Sequence, residues 1–274
     1  MKEKLFIMII VIILVTLAVP GQALAGSESE SIAILHTNNE NGASENLDSI
    51  ASYRDQLKAK YDRVFLLSAG GALADPGMVQ AMNQAGYDLL NIGTTELASG
   101  QEQLQQNLEQ AEFPFLSANI DSTGSYLQQP EPYLFLETAS GHTIAVIGLI
   151  EVTKSGKPPV DPGLLGRLKF TRPFQAAANY SYLAEVADIY IGLTYLGHAT
   201  DRNLARARGE FDLIIGSQSR TVIKNPPLIN NVLITQAGSG LNYLGKIIIK
   251  LDKKGQIISR QAGLIEIEGL TKNK

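Results

Sequence analysis

The sequence predicts a layered α/β domain on three observations: short runs of Ile, Val and Leu recur along the chain, helical patterns separate them, and 45% hydrophobic content is enough for a large core. Residues 32–35, 63–67, 143–150, 188–193, 211–215 and 232–235 carry buried-strand signatures. Between them, Leu47, Ile50, Ala51, Leu57 and Tyr61 share one face of a helix. Ser99 and Glu102 have the spacing of a capping box that opens a helix running through Gln110. Pro173 suits the first turn of a helix over 174–186, and Gly209 closes another that starts near Thr200. Residues 245–252 and 256–268 read as a β-hairpin turning at Lys253, Lys254 and Gly255. No repeat at a solenoid period is present, and the Pro-rich stretches 157–159 and 225–227 read as surface loops. One domain over 32–268 follows, with short tails at 26–31 and 269–274.

The first twenty-five residues read as an export signal. Lys2 and Lys4 precede an apolar run from Leu5 to Val19, Pro20 and Gly21 break it, and Ala23-Leu24-Ala25 supplies the small-x-small pattern of a cleavage site before Gly26. Such a run rises only about 22 Å as a helix, short of the roughly 30 Å hydrocarbon core. The expected mature protein is periplasmic or extracellular, with no stable membrane anchor after cleavage.

The 274 residues contain no cysteine, which removes disulfides, thiol catalysis and cysteine metal sites together. Lys and Arg number 23 against 27 Asp and Glu, a net charge of -4 that offers no general attraction to nucleic acid. Arg202, Arg206 and Arg208 lie on one predicted helix without interleaved aromatics, and read as a solvated face in preference to a phosphate-collecting one. Met78, Val79 and Met82 read as core. Three histidines remain: His36 and His198 as hydrogen-bonded strand-end residues and His142 as a turn residue beside Gly141.

Ligand sites in open α/β sheets collect beyond the carboxyl ends of the strands. In order, those positions read His36-Thr37-Asn38-Asn39-Glu40-Asn41-Gly42, Ser68-Ala69-Gly70-Gly71, Gly93-Thr94-Thr95-Glu96, Ser117-Ala118-Asn119, Thr194-Tyr195-Leu196-Gly197-His198 and Gly216-Ser217-Gln218-Ser219-Arg220-Thr221. Together they resemble the N-terminal domain of the calcineurin-like metallophosphoesterases of the periplasmic 5'-nucleotidase and UDP-sugar hydrolase branch. The resemblance spans residues 32 to about 268. It implies a four-layer α/β/β/α sandwich of mixed sheets, two divalent metals and phosphoester hydrolysis. It also implies a C-terminal domain for the nucleoside base, which has no counterpart in these residues.

Where the family motif H-T-N-D-x-H-G has its metal-binding Asp and His, this sequence has Asn39 and Asn41. Gly71 stands in the place of the bridging Asp, Thr94 and Thr95 in the places of the Asn and His of G-N-H-E, and Glu96 alone is kept. Tyr195 takes the place of the metal-binding His of T-H-L-G-H, and Gln218 and Arg220 those of the last two ligands. Two dications about 4 Å apart repel by roughly 16 kcal/mol at an effective dielectric of about 20, which the missing carboxylates would have to offset. No dinuclear site and no catalytic residue is therefore expected.

The residues that remain, Asn39, Asn41, Gly71, Thr94, Thr95, Glu96, Tyr195, His198, Gln218 and Arg220, form a candidate vestigial pocket. An anion or nucleotide held by the Arg220 guanidinium and neutral donors is one reading of it; side chains that merely fill the cavity are the other. Three functions follow: a non-catalytic binding or partner protein, a hydrolase with a single-metal site drawing on Glu96, His198 and Asp201, and an interaction module with its cleft closed.

Overall fold

The structure is a computed structural model that describes residues 29–73 and 77–271. The expected signal segment and parts of both expected tails lie outside the described residues. The chain opens with β1 (Glu30–Thr37), a 3-10 turn at Ser44–Asn46, α1 (Leu47–Lys58), β2 (Arg63–Ser68), α2 (Met78–Ala85), β3 (Leu89–Asn91), α3 (Thr94–Ala98), α4 (Gln101–Gln110) and β4 (Phe115–Leu116). It continues through β5 (Ile120–Asp121), β6 (Tyr133–Glu137), β7 (Thr143–Ile150), α5 (Pro162–Leu165), β8 (Lys169–Phe170), α6 (Pro173–Asn179), α7 (Leu183–Val186) and β9 (Ile189–Tyr195). The last third holds α8 (His198–Ala207), β10 (Leu213–Gly216), β11 (Leu228–Ile229), β12 (Val232–Thr235), β13 (Tyr243–Leu251), β14 (Ile257–Glu266) and α9 (Ile267–Thr271).

Two mixed six-stranded sheets result, ordered β14-β13-β1-β2-β3-β4 and β11-β12-β10-β9-β7-β6. Each has a parallel centre, β1 to β4 in one and β7, β9, β10 and β12 in the other. Antiparallel strands β13, β14, β6 and β11 complete the flanks. Alternation of side chains along β1 explains the layering. Ile32 and Ile34 point into an inter-sheet core with Phe65, Ile144, Val146, Ile191 and Leu213, while Ala33 and Leu35 face a second core with Ile50, Met78 and Met82 of α1 and α2. On the far side, Tyr190 stacks on Phe211 at 4.3 Å, within a third core shared with α6 to α8. The predicted four-layer sandwich is observed.

Local departures have physical causes. The capping box does not form at Ser99, whose hydroxyl donates to the Glu96 carbonyl at 2.6 Å and ends α3; α4 begins after Gly100 without a side-chain cap. Residues 174–186 are not one helix, because the Tyr180 carbonyl turns out to accept from the Tyr190 hydroxyl at 3.2 Å between α6 and α7. Tyr61 lies beyond the end of α1, His198 starts α8 rather than ending a strand, and α8 stops at Ala207 ahead of Gly209. The hairpin turns where predicted, with Asp252 Oδ1 accepting from the N–H groups of Lys254 and Gln256, but residues 267 and 268 open α9 instead of extending β14. β1 begins at Glu30, two residues before the predicted domain start.

Candidate functional site

Loops that follow β1, β2, β3, β9 and β10 meet at one end of the two sheets. Backbone bonds knit them: Asn39 N–H to Gly70 O at 3.0 Å, Asn41 N–H to Gly71 O at 3.1 Å and Gly240 N–H to Asn39 O at 2.8 Å. Ser217 Oγ donates to Gly70 O at 2.9 Å, which joins the second sheet to the first. Asn38 fastens residues 237 and 238 by accepting from Ala237 N–H and donating to Gly238 O. Asn39, Asn41, Gln218 and Arg220 all adopt left-handed backbone, at φ 50°, 51°, 76° and 55°. Non-glycine residues rarely do so, and clustered strain of this kind marks loops shaped for a site.

Tyr195, at the end of β9, closes the floor between these loops. Its ring is 6% exposed, and a Cβ added at Gly71 would stand 3.1 Å from its Cε2 and 3.1 Å from Asn39 Oδ1. A Cβ at Gly93 would come still closer, 2.6 Å from Cδ2. Burial pushes the Tyr195 phenol up and the Glu96 charge adds to the rise, while the Thr94 and Thr95 side chains and the Arg220 charge pull the other way. Glu96 is fully buried beneath them. Its carboxylate accepts from the N–H groups of Gly71, Ala72, Leu73 and Gly93 at 2.7–3.1 Å. A turn of backbone donors that suits an anion is thus occupied by the chain's own carboxylate.

The remaining predicted residues stand on the rim. Asn41 is exposed and donates to Asn39 O at 2.7 Å; Gln218 Nε2 donates to Glu151 Oε2 at 3.1 Å. Arg220 is exposed and, among the described residues, has no hydrogen bond or ion pair. His198 is half-buried, its backbone N–H taken by Ser219 Oγ at 3.0 Å, and its ring has no hydrogen-bond partner among the described residues, contrary to the expectation for it. His36, by contrast, bonds Thr235 Oγ1 at 3.1 Å as expected, and burial lowers its pKa to about 4.

Two buried acids were not selected as pocket residues. Glu40 Oε1 accepts from Thr37 and Ser68 while Oε2 has no partner, and burial raises its pKa to about 7. Its signal in the sequence is a lone carboxylate inside the first motif, shortly after the apolar run 32–35. Asp201, in the first turn of α8, accepts from Thr194 Oγ1 at 2.6 Å with Oδ2 against Gly216, and burial raises it to about 8. Among the described residues no group of three or more His, Asp or Glu is placed to hold a metal ion. A cleft of about 700 Å³ opens away from the motifs, between Gln101, Tyr126 and Leu164.

In fold and in the order of its strand-end motifs the chain is similar to N-terminal domains of 5'-nucleotidases and to a calcineurin-like phosphoesterase. More narrowly, the chain is a homologue of the 5'-nucleotidases and UshA-type phosphoesterases, as the motifs implied. It is 28% identical over 282 residues to a 5'-nucleotidase of Vibrio cholerae, covering 83% of this chain and 50% of that protein. It is 25% identical over 284 residues to the trifunctional nucleotide phosphoesterase YfkN of Bacillus subtilis, covering 85% and 19%. The crystal structure of a 5'-nucleotidase precursor from Thermus thermophilus superposes with a TM-score of 0.72 at 21% identity, over 88% of this chain and 57% of that one. The chain thus spans half or less of the length of these curated relatives. No protein-family profile matches it.

Proposed function

We propose that this chain is an exported 5'-nucleotidase-family domain that has lost its dinuclear metal site and serves as a non-catalytic binding or partner protein. The relation between Tyr195 and Gly71 carries the reading: an aromatic ring packs against the position where the family places a bridging carboxylate. The donors at hand do not fit a pair of dications. Asn39 and Asn41 offer neutral amides, and Arg220 adds positive charge. Glu96, the carboxylate kept from the family's third motif, already accepts from four backbone N–H groups. No hydrolytic step is derived through such a centre. A single-metal hydrolase using Glu96, His198 and Asp201 finds less support, since Asp201 is fully buried against Gly216 and Glu96 is fully buried in its backbone turn.

Export is part of the proposal and rests on residues 1–25; among the described residues no helix is long and apolar enough to cross a membrane. The test is metal analysis of the purified mature protein after equilibration with manganese and with zinc, followed by assay against AMP and p-nitrophenyl phosphate. Substoichiometric metal and no metal-dependent turnover are expected. Two ions per chain with turnover would overturn the reading.

A further inference from the structure

The three arginines of the α8 region do not behave alike. Arg206 donates to Asn203 Oδ1 at 2.9 Å, and Arg208 sits 3.9 Å from Glu210. Arg202, one turn after His198, instead lines a cleft of about 510 Å³ between α8 and the loop that follows β10. His198, Thr221, Val222, Lys224 and Pro227 are among its other walls, and no carboxylate lines it. Among the described residues neither Arg202 nor Lys224 has a hydrogen bond or ion pair.

In a chain of net charge -4, this is a local reversal of sign. Two cations facing one gap without a counter-charge raise the energy of the empty cleft, and an anion between them lowers it. Asp201 does not supply that charge, being buried and held largely protonated at neutral pH. Burial, and next the charge of Arg202, lower the His198 pKa, and its Nδ1 has no hydrogen-bond partner among the described residues.

We propose that this cleft binds the phosphate group of a small phosphomonoester, with the Arg202 fork and the Lys224 ammonium against its oxygens and the Thr221 hydroxyl and His198 ring completing the hydrogen bonds. Two permanent cations match a dianion better than the single charge of a carboxylate. Arginine adds the planar pair of donors that phosphate oxygens accept. Nucleic acid is disfavoured, because no Phe or Tyr lines the cleft for a base to stack on. The inference deepens the proposed binding role by naming a ligand class, and it lies outside the metal-motif residues except for the shared wall at His198.

Calorimetric titration of the mature protein at low salt with inorganic phosphate, AMP and acetate tests it. Phosphate and AMP should bind, acetate should not, and Arg202→Gln and Lys224→Gln should each weaken phosphate binding by roughly tenfold or more. Arg206→Gln should leave it unchanged. The proposal is overturned by no phosphate heat, by equal binding of acetate, by wild-type affinity in both variants, or by loss confined to Arg220→Gln. Manganese-dependent turnover would defeat the non-catalytic reading without touching these affinities, so the two fail separately.

Discussion

The Tyr195 ring packs against the Gly71 backbone and leaves little room for a side chain at position 71. Gly71 has φ 88°, a left-handed conformation, and an added Cβ would meet Tyr195 Cε2 and Asn39 Cα, both at 3.1 Å. Restoring a carboxylate there by Gly71→Asp should therefore destabilise the fold by about 1–3 kcal/mol and should not by itself create metal affinity. Urea unfolding and manganese titration of the variant check both halves. A stable Gly71→Asp protein that takes up metal would refute the account of the site.

Glu96 holds a turn of backbone donors together. Glu96→Ala leaves the N–H groups of Gly71, Ala72, Leu73 and Gly93 without their buried acceptor, and a loss of at least about 2 kcal/mol is expected. Glu96→Gln keeps one carbonyl acceptor and should lose less. Amide exchange at residues 71–73 should accelerate in both variants, more in the alanine. Unchanged exchange would contradict the role.

Stability should depend on pH through Glu40. Its carboxyl titrates near pH 7 in the folded chain against 4.5 for the ordinary group, so the native state keeps a proton that the unfolded state releases in between. Stability from this group falls as pH rises from about 4.5 to 7. Asp201 acts in the same direction from 3.8 to about 8, whereas His36, at about 4 against 6.5, makes stability rise over its own window. The difference between wild type and Glu40→Gln isolates the first. Glu40→Gln should gain on wild type between pH 4.5 and 8, by an amount of order a few kcal/mol. Parallel stability curves would rule this out.

Gly245 lies opposite His36 in the β1–β13 pairing, and a Cβ on it would run into the imidazole ring. Gly245→Ala should cost about 1–3 kcal/mol, and His36→Ala in the same chain should recover part of that loss. A double-mutant cycle on denaturation midpoints reads the coupling. Additive effects would mean that the ring is free to move aside.

Much of the fold was legible because burial on both faces leaves a continuous apolar run. The ranges predicted at 143–150 and 232–235 are β7 and β12 residue for residue. Short strands were not, since Leu89–Asn91 and Phe115–Leu116 are too brief to carry a pattern and are drawn into the sheet by their neighbours. At the site, the motif spacing located the loops, and Arg220 is exposed there. That Arg202 faces a cleft while Arg206 and Arg208 find partners was invisible, because the three lie within seven residues of each other at α8 and its end, and only the loop after β10 separates them.

By itself the sequence determined which side chains stand at the strand ends, and hence that amides, hydroxyls, a phenol and a guanidinium gather there. Chain order and residue chemistry are enough for that. Only the tertiary structure decided that the phenol packs over glycines and that Glu96 is consumed by backbone donors. It also decided that Glu40 and Asp201 are acids without solvent. Those are properties of distance and burial between residues far apart in the chain, and no local pattern encodes them.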